Sequence, residues 1–489
     1  MESMRSLSLD RPTVLPAPNT KQWRTLSCKE QASSSIITKP RYARKSFASF
    51  RIHCEKRDGS NIDIDRRRLL LSSSTLGMSA LIAGKSKADP FPAPDQSHCV
   101  NPPSNLPAHA TEPGGCCPPY QLGTKIEDFV FPTGRMRTRP AAHLVNAEYI
   151  AKYEKAVSHM KSLPEDHPHN FSQQAKVHCA YCNGAYLMGS DNQNYEVHWG
   201  WFFLPFHRWY LYFYERILAS YTGDDNFALP FWNWDARDGM RIPDMYTEIG
   251  TTLYDEKRNA CHQSPMMVNL AQPESCDNAS VCSNYSIIYT QMVSAATNYK
   301  LFHGRPYRYK PGEKPNKHRT GTLESSPHNV VHDWTGSIKS PNSPNQEDMG
   351  TLYAAARDPI FYSHHANVDR MWTVWNDNLC GGNYTDTDLL DSKFVFYDEN
   401  KQLVQVRAGD CYDISKLRYE YQELNLPWLE RGRSIKKAGK LYPKPSTIGF
   451  IEADDKPKLL TESKTFLVTR QIPVKPAEED ECLEIDGIV

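Results

Sequence analysis

Residues 206–221 read FHRWYLYFYERILASY. Apolar side chains fall at nearly every angle of a 3.6-residue turn, which predicts a helix buried all round. His207 sits inside that apolar run. Just before it, EVHWGW (196–201) carries His198, nine residues from His207, and KVHCAYC (176–182) carries His178. Downstream, SPHNVVHDW (326–334) holds His328 and His332 at i, i+4, a spacing that puts two imidazoles on one helical face. Pro327 fits the first turn of that helix. A third element, RDPIFYSHHANVDRMW (357–372), carries His364 and His365.

One histidine in an aromatic segment is ordinarily a satisfied core residue. Two clusters of three are different, because each buried imidazole brings two nitrogens that need partners. No acidic residue stands among the candidate ligands of either cluster, which argues against hard cations such as Mg²⁺ or Ca²⁺. All-imidazole sites suit copper, zinc, iron or nickel, and zinc has no redox chemistry. Two adjacent three-histidine sites with open positions suit a small bridging ligand such as dioxygen. Spacing alone does not separate His364 from His365. In KVHCAYC, Cys179 and Cys182 read either as half a zinc site or as a redox pair.

Lys+Arg and Asp+Glu both count 57, so no basic excess is available for binding nucleic acid. The first 60 residues hold twelve Lys/Arg, five Asp/Glu and ten Ser, the composition of an organelle transit peptide. Arg66-Arg67-Arg68 then precede a short apolar run, Leu69 to Ala83, too short to span a membrane. Residues 1–88 are therefore expected to be a bipartite address, for organelle import and then twin-arginine export into an inner compartment, which in a plant would be the chloroplast and its thylakoid lumen. Cys99, Cys116, Cys117 and Cys179 occupy a Pro-rich stretch and the helix after it. Disulfides would stabilise such a stretch, which implies an oxidising compartment.

AAHLVNAEYIAKYEKAVSHMKSL (141–163) has apolar residues at three- and four-residue steps and predicts an amphipathic helix ended by Pro164. SNYSIIYTQMVSAA (283–296) is a further short helical candidate. From residue 393 the period changes: KFVFYDENKQLVQVRAGDC predicts a hairpin turning at Asp398–Asn400, and ESKTFLVTRQIPVKP (462–476) another strand. The fold expected is mainly α, with a small C-terminal β region.

At these residues the chain resembles the plant polyphenol oxidases, the type-3 copper family of catechol oxidases and tyrosinases. The matching stretches are QQAKVHCAYCNGAY, FFLPFHRWYLYFYERIL, ALPFWNWD, HNVVHDWTG and RDPIFYSHHANVDRMW. The resemblance implies a four-helix bundle around two copper ions. One copper would be held by His178, His198 and His207, the other by His328, His332 and His365. His364 would stand behind His365, and Asp369 and Arg370 would orient their helix. It further implies oxidation of o-diphenols to o-quinones with reduction of O₂ to water, and small phenols as partners.

By the same resemblance Glu324 orients a water and Asn329 helps hold it, so that the pair could deprotonate a monophenol, and Leu352 stands at a substrate gate. Cys116 would pair with Cys179 and Cys99 with Cys117, and Cys182 would form a thioether to His198. The domains expected are a dicopper catalytic domain over 89–385, a linker region over 386–432 ending in the tyrosine motif RYEYQ (418–422), and over 433–489 a truncated remnant of a shielding domain. Relatives commonly read HNSW where this chain reads HWGW (198–201), so the approach to the helix is expected to differ. The readings that compete with a catechol oxidase are a dioxygen-binding protein and a biosynthetic relative dedicated to coupling one phenol.

Overall fold

The computed structural model describes residues 90–101, 106–110, 115–188, 193–308, 320–379, 381–382 and 384–430. The expected transit peptide, the strand at 462–476 and the expected C-terminal remnant lie outside the described residues.

The longer helices are α1 (Ala147–Ser162), α2 (Phe171–Cys182), α3 (Phe203–Thr222), α4 (Val281–Tyr289), α5 (Asn329–Thr335) and α6 (Ile360–Asn378). Helix α1 starts later than its apolar period suggests. Asn146 caps it by accepting from the Tyr149 N–H, and residues 142–144 form a separate 3-10 turn. Its stripe of Tyr153, Ala156, Val157 and Met160 packs against α3. Asn170 caps α2, accepting from the N–H groups of Ser172 and Gln173. Helix α3 is buried along nearly its whole length and ends at Gly223, whose φ of 71° is the left-handed conformation glycine adopts without a Cβ clash. The segment expected at 283–296 is helical, with α4 running on into a π turn at Thr290–Ser294.

The strands that matter to the site are β1 (Ile126–Asp128), β2 (Arg137–Arg139), β3 (Lys393–Tyr397), β4 (Leu403–Arg407) and β5 (Tyr419–Tyr421). β3 and β4 form the expected hairpin, and Asp398 shapes its turn by accepting from the N–H groups of Asn400 and Gln402. The sequence did not foretell β1 and β2. β1 adds to β4 in parallel, and β2 pairs in parallel with β5, inside the tyrosine motif. The segment after residue 386 thus packs onto the helical body: β3 lies on α3, and Trp428 donates to Asp235 at 3.0 Å.

A buried ionic cluster joins α3, α6, β2 and β5. Asp369 accepts from Arg208, from Arg139 at 3.2 Å, and from the hydroxyls of Tyr419 and Tyr421 at 2.7 and 2.5 Å. Glu215 accepts from Arg139 at 2.7 Å. Burial alone would raise the Asp369 carboxyl, but Arg208, Arg139 and the two hydroxyls outweigh it and hold it below the usual range. Next to it, Arg370 donates to Asp235 at 3.0 Å. Asp369 and Arg370 are each 3% exposed, so this is not a surface charge pair. Asp369 lies one helical turn beyond His365, and its partners therefore fix the roll of α6.

Candidate metal centre

Helices α2, α3, α5 and α6 each bring histidines to one place. His178 lies near the end of α2, His207 in the first turns of α3, His332 on α5 with His328 at its start, and His364 and His365 on α6. His198 comes from the turn before α3. In that turn Trp199 adopts a φ of 62°, left-handed for a residue with a Cβ, so the HWGW segment approaches its helix by a strained path.

The rings form two triangles. The centroids of His178, His198 and His207 are 5.1 to 5.4 Å apart, and those of His328, His332 and His365 are 4.6 to 5.3 Å apart. The triangles face each other, with His207 stacked on His365 at 4.2 Å. All six rings are buried.

Backbone carbonyls settle which nitrogen four of the rings turn inward. Nδ1 bonds to the carbonyl of Leu352 in His178 (2.9 Å), of Phe203 in His207 (2.8 Å) and of Met349 in His332 (2.8 Å). His328 Nδ1 lies 3.2 Å from the Glu324 carbonyl and 2.9 Å from Asn329 Oδ1. A carbonyl only accepts, so each of these Nδ1 atoms carries the proton and leaves Nε2 with a lone pair. The Nε2 atoms of His178, His198 and His207 are buried with no partner among the described residues. His365 Nε2 lies 3.3 Å from His328 Nε2 and 3.1 Å from His332 Nε2. An ion at the usual imidazole distance of about 2.0 Å with tetrahedral angles holds its nitrogens about 3.3 Å apart, so this donor set fits a metal.

Ring positions alone do not choose between the paired histidines, because His364 is 5.2 Å from His328 and 4.7 Å from His332. A ring nitrogen of His364 also lies within 4.8 Å of one from each of His328, His332 and His365, but the nitrogens of the two neighbours are engaged differently. His364 Nδ1 accepts the Trp234 indole N–H at 3.1 Å, while His365 Nε2 points at the other two rings. Burial pushes the imidazoles toward the neutral form that a metal needs, taking His207 down to about 3 and His332 to about 4.

Two carboxyls adjoin the first triangle. Glu324 Oε1 accepts the Trp199 N–H at 2.6 Å, and its Oε2 is buried without a hydrogen-bond partner among the described residues. Glu196, which sequence reasoning missed, accepts the His198 N–H at 2.9 Å, and burial raises its carboxyl to about 8. Its one signal was an acid two residues before a ligand candidate. Asn329 bonds to His328 and so orients that ring. Leu352 is half-buried, and its carbonyl holds His178.

Disulfides join Cys99 to Cys117, Cys116 to Cys179, and Cys261 to Cys276, a pair the sequence reading did not single out. Cys179 and Cys182 are therefore not a pair with each other. Cys182 is a buried free thiol, and its sulfur and a ring nitrogen of His178 and of His198 all lie within 4.8 Å of one another.

With this geometry in place, the chain can be set beside known proteins. The common central domain of tyrosinase matches residues 168–378, and the polyphenol oxidase middle domain matches 383–433. The chloroplastic polyphenol oxidase of Vitis vinifera is 48% identical over 421 residues, which are 83% of this chain and 67% of that protein. Aureusidin synthase of Antirrhinum majus is 44% identical over 82% of this chain and 72% of its own. The crystal structure of Grenache (Vitis vinifera) polyphenol oxidase superposes with a TM-score of 0.64 at 49% identity, over 69% of this chain and 99% of that one.

Proposed function

This chain belongs to the plant polyphenol oxidase family, oxidoreductases whose tyrosinase-type domain implies a dinuclear copper centre, and on that premise we propose that it oxidises o-diphenols to o-quinones. The observation that carries the reading is the pair of facing histidine triangles with unpartnered or converging Nε2 atoms. His178, His198 and His207 would hold one copper and His328, His332 and His365 the other. Bound there, the metals supply two-electron redox chemistry toward dioxygen.

The protein's own groups do the rest. The carbonyls of Leu352, Phe203 and Met349 keep the Nδ1 protons and aim the lone pairs. The Arg208–Asp369 pair locks α3 to α6 and so sets His207 against His365. Each diphenol gives up two electrons and two protons. Two diphenols thus reduce one O₂ to two waters and leave two quinones.

Glu324 would accept a phenolic proton through a water, a reading supported by its buried Oε2 beside the turn that carries His198. Burial raises its carboxyl well above the usual range, and the Trp199 N–H bond opposes that rise by favouring the carboxylate. That supports some hydroxylation of monophenols beside diphenol oxidation. With relatives named chloroplastic and disulfides in the N-terminal arm, we place the protein in the chloroplast, in the thylakoid lumen.

Quinone formation and O₂ uptake from a panel of mono- and diphenols, with copper measured on the same sample, test the proposal. The expected result is two coppers per chain and two quinones per O₂ consumed from simple catechols. A chain with two coppers that binds O₂ yet forms no quinone from any diphenol would overturn it. Turnover confined to one elaborate phenol would favour a dedicated biosynthetic role, the kind of activity carried in the name of the Antirrhinum majus relative.

A further inference from the structure

Away from the histidines, the C-terminal part of α3, the loop at 132–135, the hairpin turn at Glu399 and Arg418 just before β5 enclose a cavity of about 660 Å³. Arg135, Arg137, Arg216 and Arg418 line it, against Asp225 and Glu399. Arg216 forks onto Glu399, with Nε 2.9 Å from Oε2, so those two charges cancel. Arg135 and Arg418 are exposed and make no ion pair among the described residues.

Arg137 is the unusual member. Its side chain is 8% exposed, its backbone N–H donates to the Arg418 carbonyl at 3.0 Å, and its buried Nε has no acceptor among the described residues. Its Nη2 lies 3.1 Å from Glu215 Oε1, while the other oxygen of that carboxylate, Oε2, accepts from Arg139 at 2.7 Å and from the Leu229 N–H at 2.9 Å, so Arg137 and Arg139 divide one carboxylate between them. Behind the cavity wall, among the described residues, Arg137, Arg139 and Arg208 form ion pairs with only Glu215 and Asp369. One positive charge is therefore left over in a place where water reaches poorly, and two free guanidiniums stand in front of it. Burying uncompensated charge is costly, and an anion brought to it is held more strongly than at a solvated surface. The end of α3 points its carbonyls this way, which would repel an anion. Ser220 and Thr222 soften that by donating to the Ile217 and Ala219 carbonyls.

We propose that this cavity is a binding site for a small oxyanion, a phosphate ester or an organic carboxylate, clamped by Arg135, Arg137 and Arg418. The planar guanidinium fork matches both oxyanions in the same way, so the shared chemistry is two or more oxygens carrying negative charge. The site lies outside the proposed copper centre. The bound anion ties the loop before β2 to the residue before β5, and it stabilises the fold by mass action rather than by taking part in turnover.

The test uses the copper-loaded protein with inorganic phosphate in one arm and malate in the other, against chloride at equal ionic strength. Calorimetry reads binding and thermal unfolding reads stabilisation. Saturable binding of one anion per chain is expected, with an unfolding midpoint that climbs with the logarithm of its concentration, and the arm that binds more tightly names the source. In the exposed double variant Arg135→Gln/Arg418→Gln, affinity should fall by about tenfold or more, as expected for loss of charge-assisted pairs. Catechol turnover in that variant without added anion should be unchanged. Absence of saturable binding in both arms, or binding of undiminished affinity in the double variant, would overturn the proposal.

Discussion

Trp234 donates its indole N–H to His364 Nδ1 at 3.1 Å, while the adjacent His365 turns Nε2 to within 3.3 and 3.1 Å of His328 and His332. Two consecutive histidines on one helix thus face different partners. His365→Ala should bind about one copper per chain in place of two and should lose quinone formation. His364→Asn should keep two coppers with activity lowered about 10–100-fold, the usual cost of disturbing a group that orients ligands. Metal analysis of both purified variants decides. The reverse pattern would exchange the two roles.

Asp369→Asn should be severely destabilising, since it leaves Arg208 and Arg139 facing a neutral amide in a buried site. Breaking a buried ion pair by removing one partner costs about 3–5 kcal/mol. The sign of the pH dependence follows from the depressed carboxyl. Stability from Asp369 is fully present above its unfolded value of about 4 and is lost as pH falls through the lower folded value. The gap between wild type and variant in denaturant unfolding should therefore be largest near neutrality and shrink below about pH 4. A gap that is constant across that range would mean that the carboxylate charge is not what stabilises the cluster.

Much of this site could be read in the chain because its signals were local. The apolar run of α3 fixed a buried helix around His207, and the i, i+4 spacing of His328 and His332 fixed a shared face. What stayed hidden depends on residues far apart in sequence. His364 and His365 could not be separated because Trp234, 130 residues earlier, makes the choice. β1 and β2 are three residues each, too short to show a period, and they exist because β4 and β5 present edges to pair with. Glu196 gave no pattern beyond standing two residues before His198. Nor could the HWGW segment show that Trp199 is left-handed and that its N–H reaches Glu324 across 125 residues.

Cys182 and His198 lie close enough, in one group within 4.8 Å that also includes His178, for the expected thioether to form in copper-loaded protein. Forming it removes one hydrogen from the thiol and one from the ring, with copper and O₂ as the oxidant. Digestion should yield a joined peptide two hydrogens lighter than the sum of its Cys182 and His198 parts, and Cys182→Ser should abolish it. Burial raises the Cys182 thiol well above its ordinary value, so ordinary alkylation should be slow in the folded protein. Quantitative recovery of the two linear peptides from copper-loaded protein would leave Cys182 a free thiol.

Glu324→Gln separates the two activities proposed for the centre. The backbone N–H of Trp199 holds one carboxyl oxygen, and Oε2 remains as a buried acceptor with no hydrogen-bond partner among the described residues. A glutamine of the same shape can keep the first bond but cannot take up a proton. Monophenol turnover should fall by about 10²–10⁴-fold, the usual contribution of a positioned general base. A diphenol loses its protons more readily, so catechol oxidation should fall far less, and copper content should stay at two per chain. The measurement is the ratio of monophenol to diphenol rates in variant and wild type. An unchanged ratio would remove Glu324 from the proton path and leave it as the carboxylate that secures the Trp199 turn.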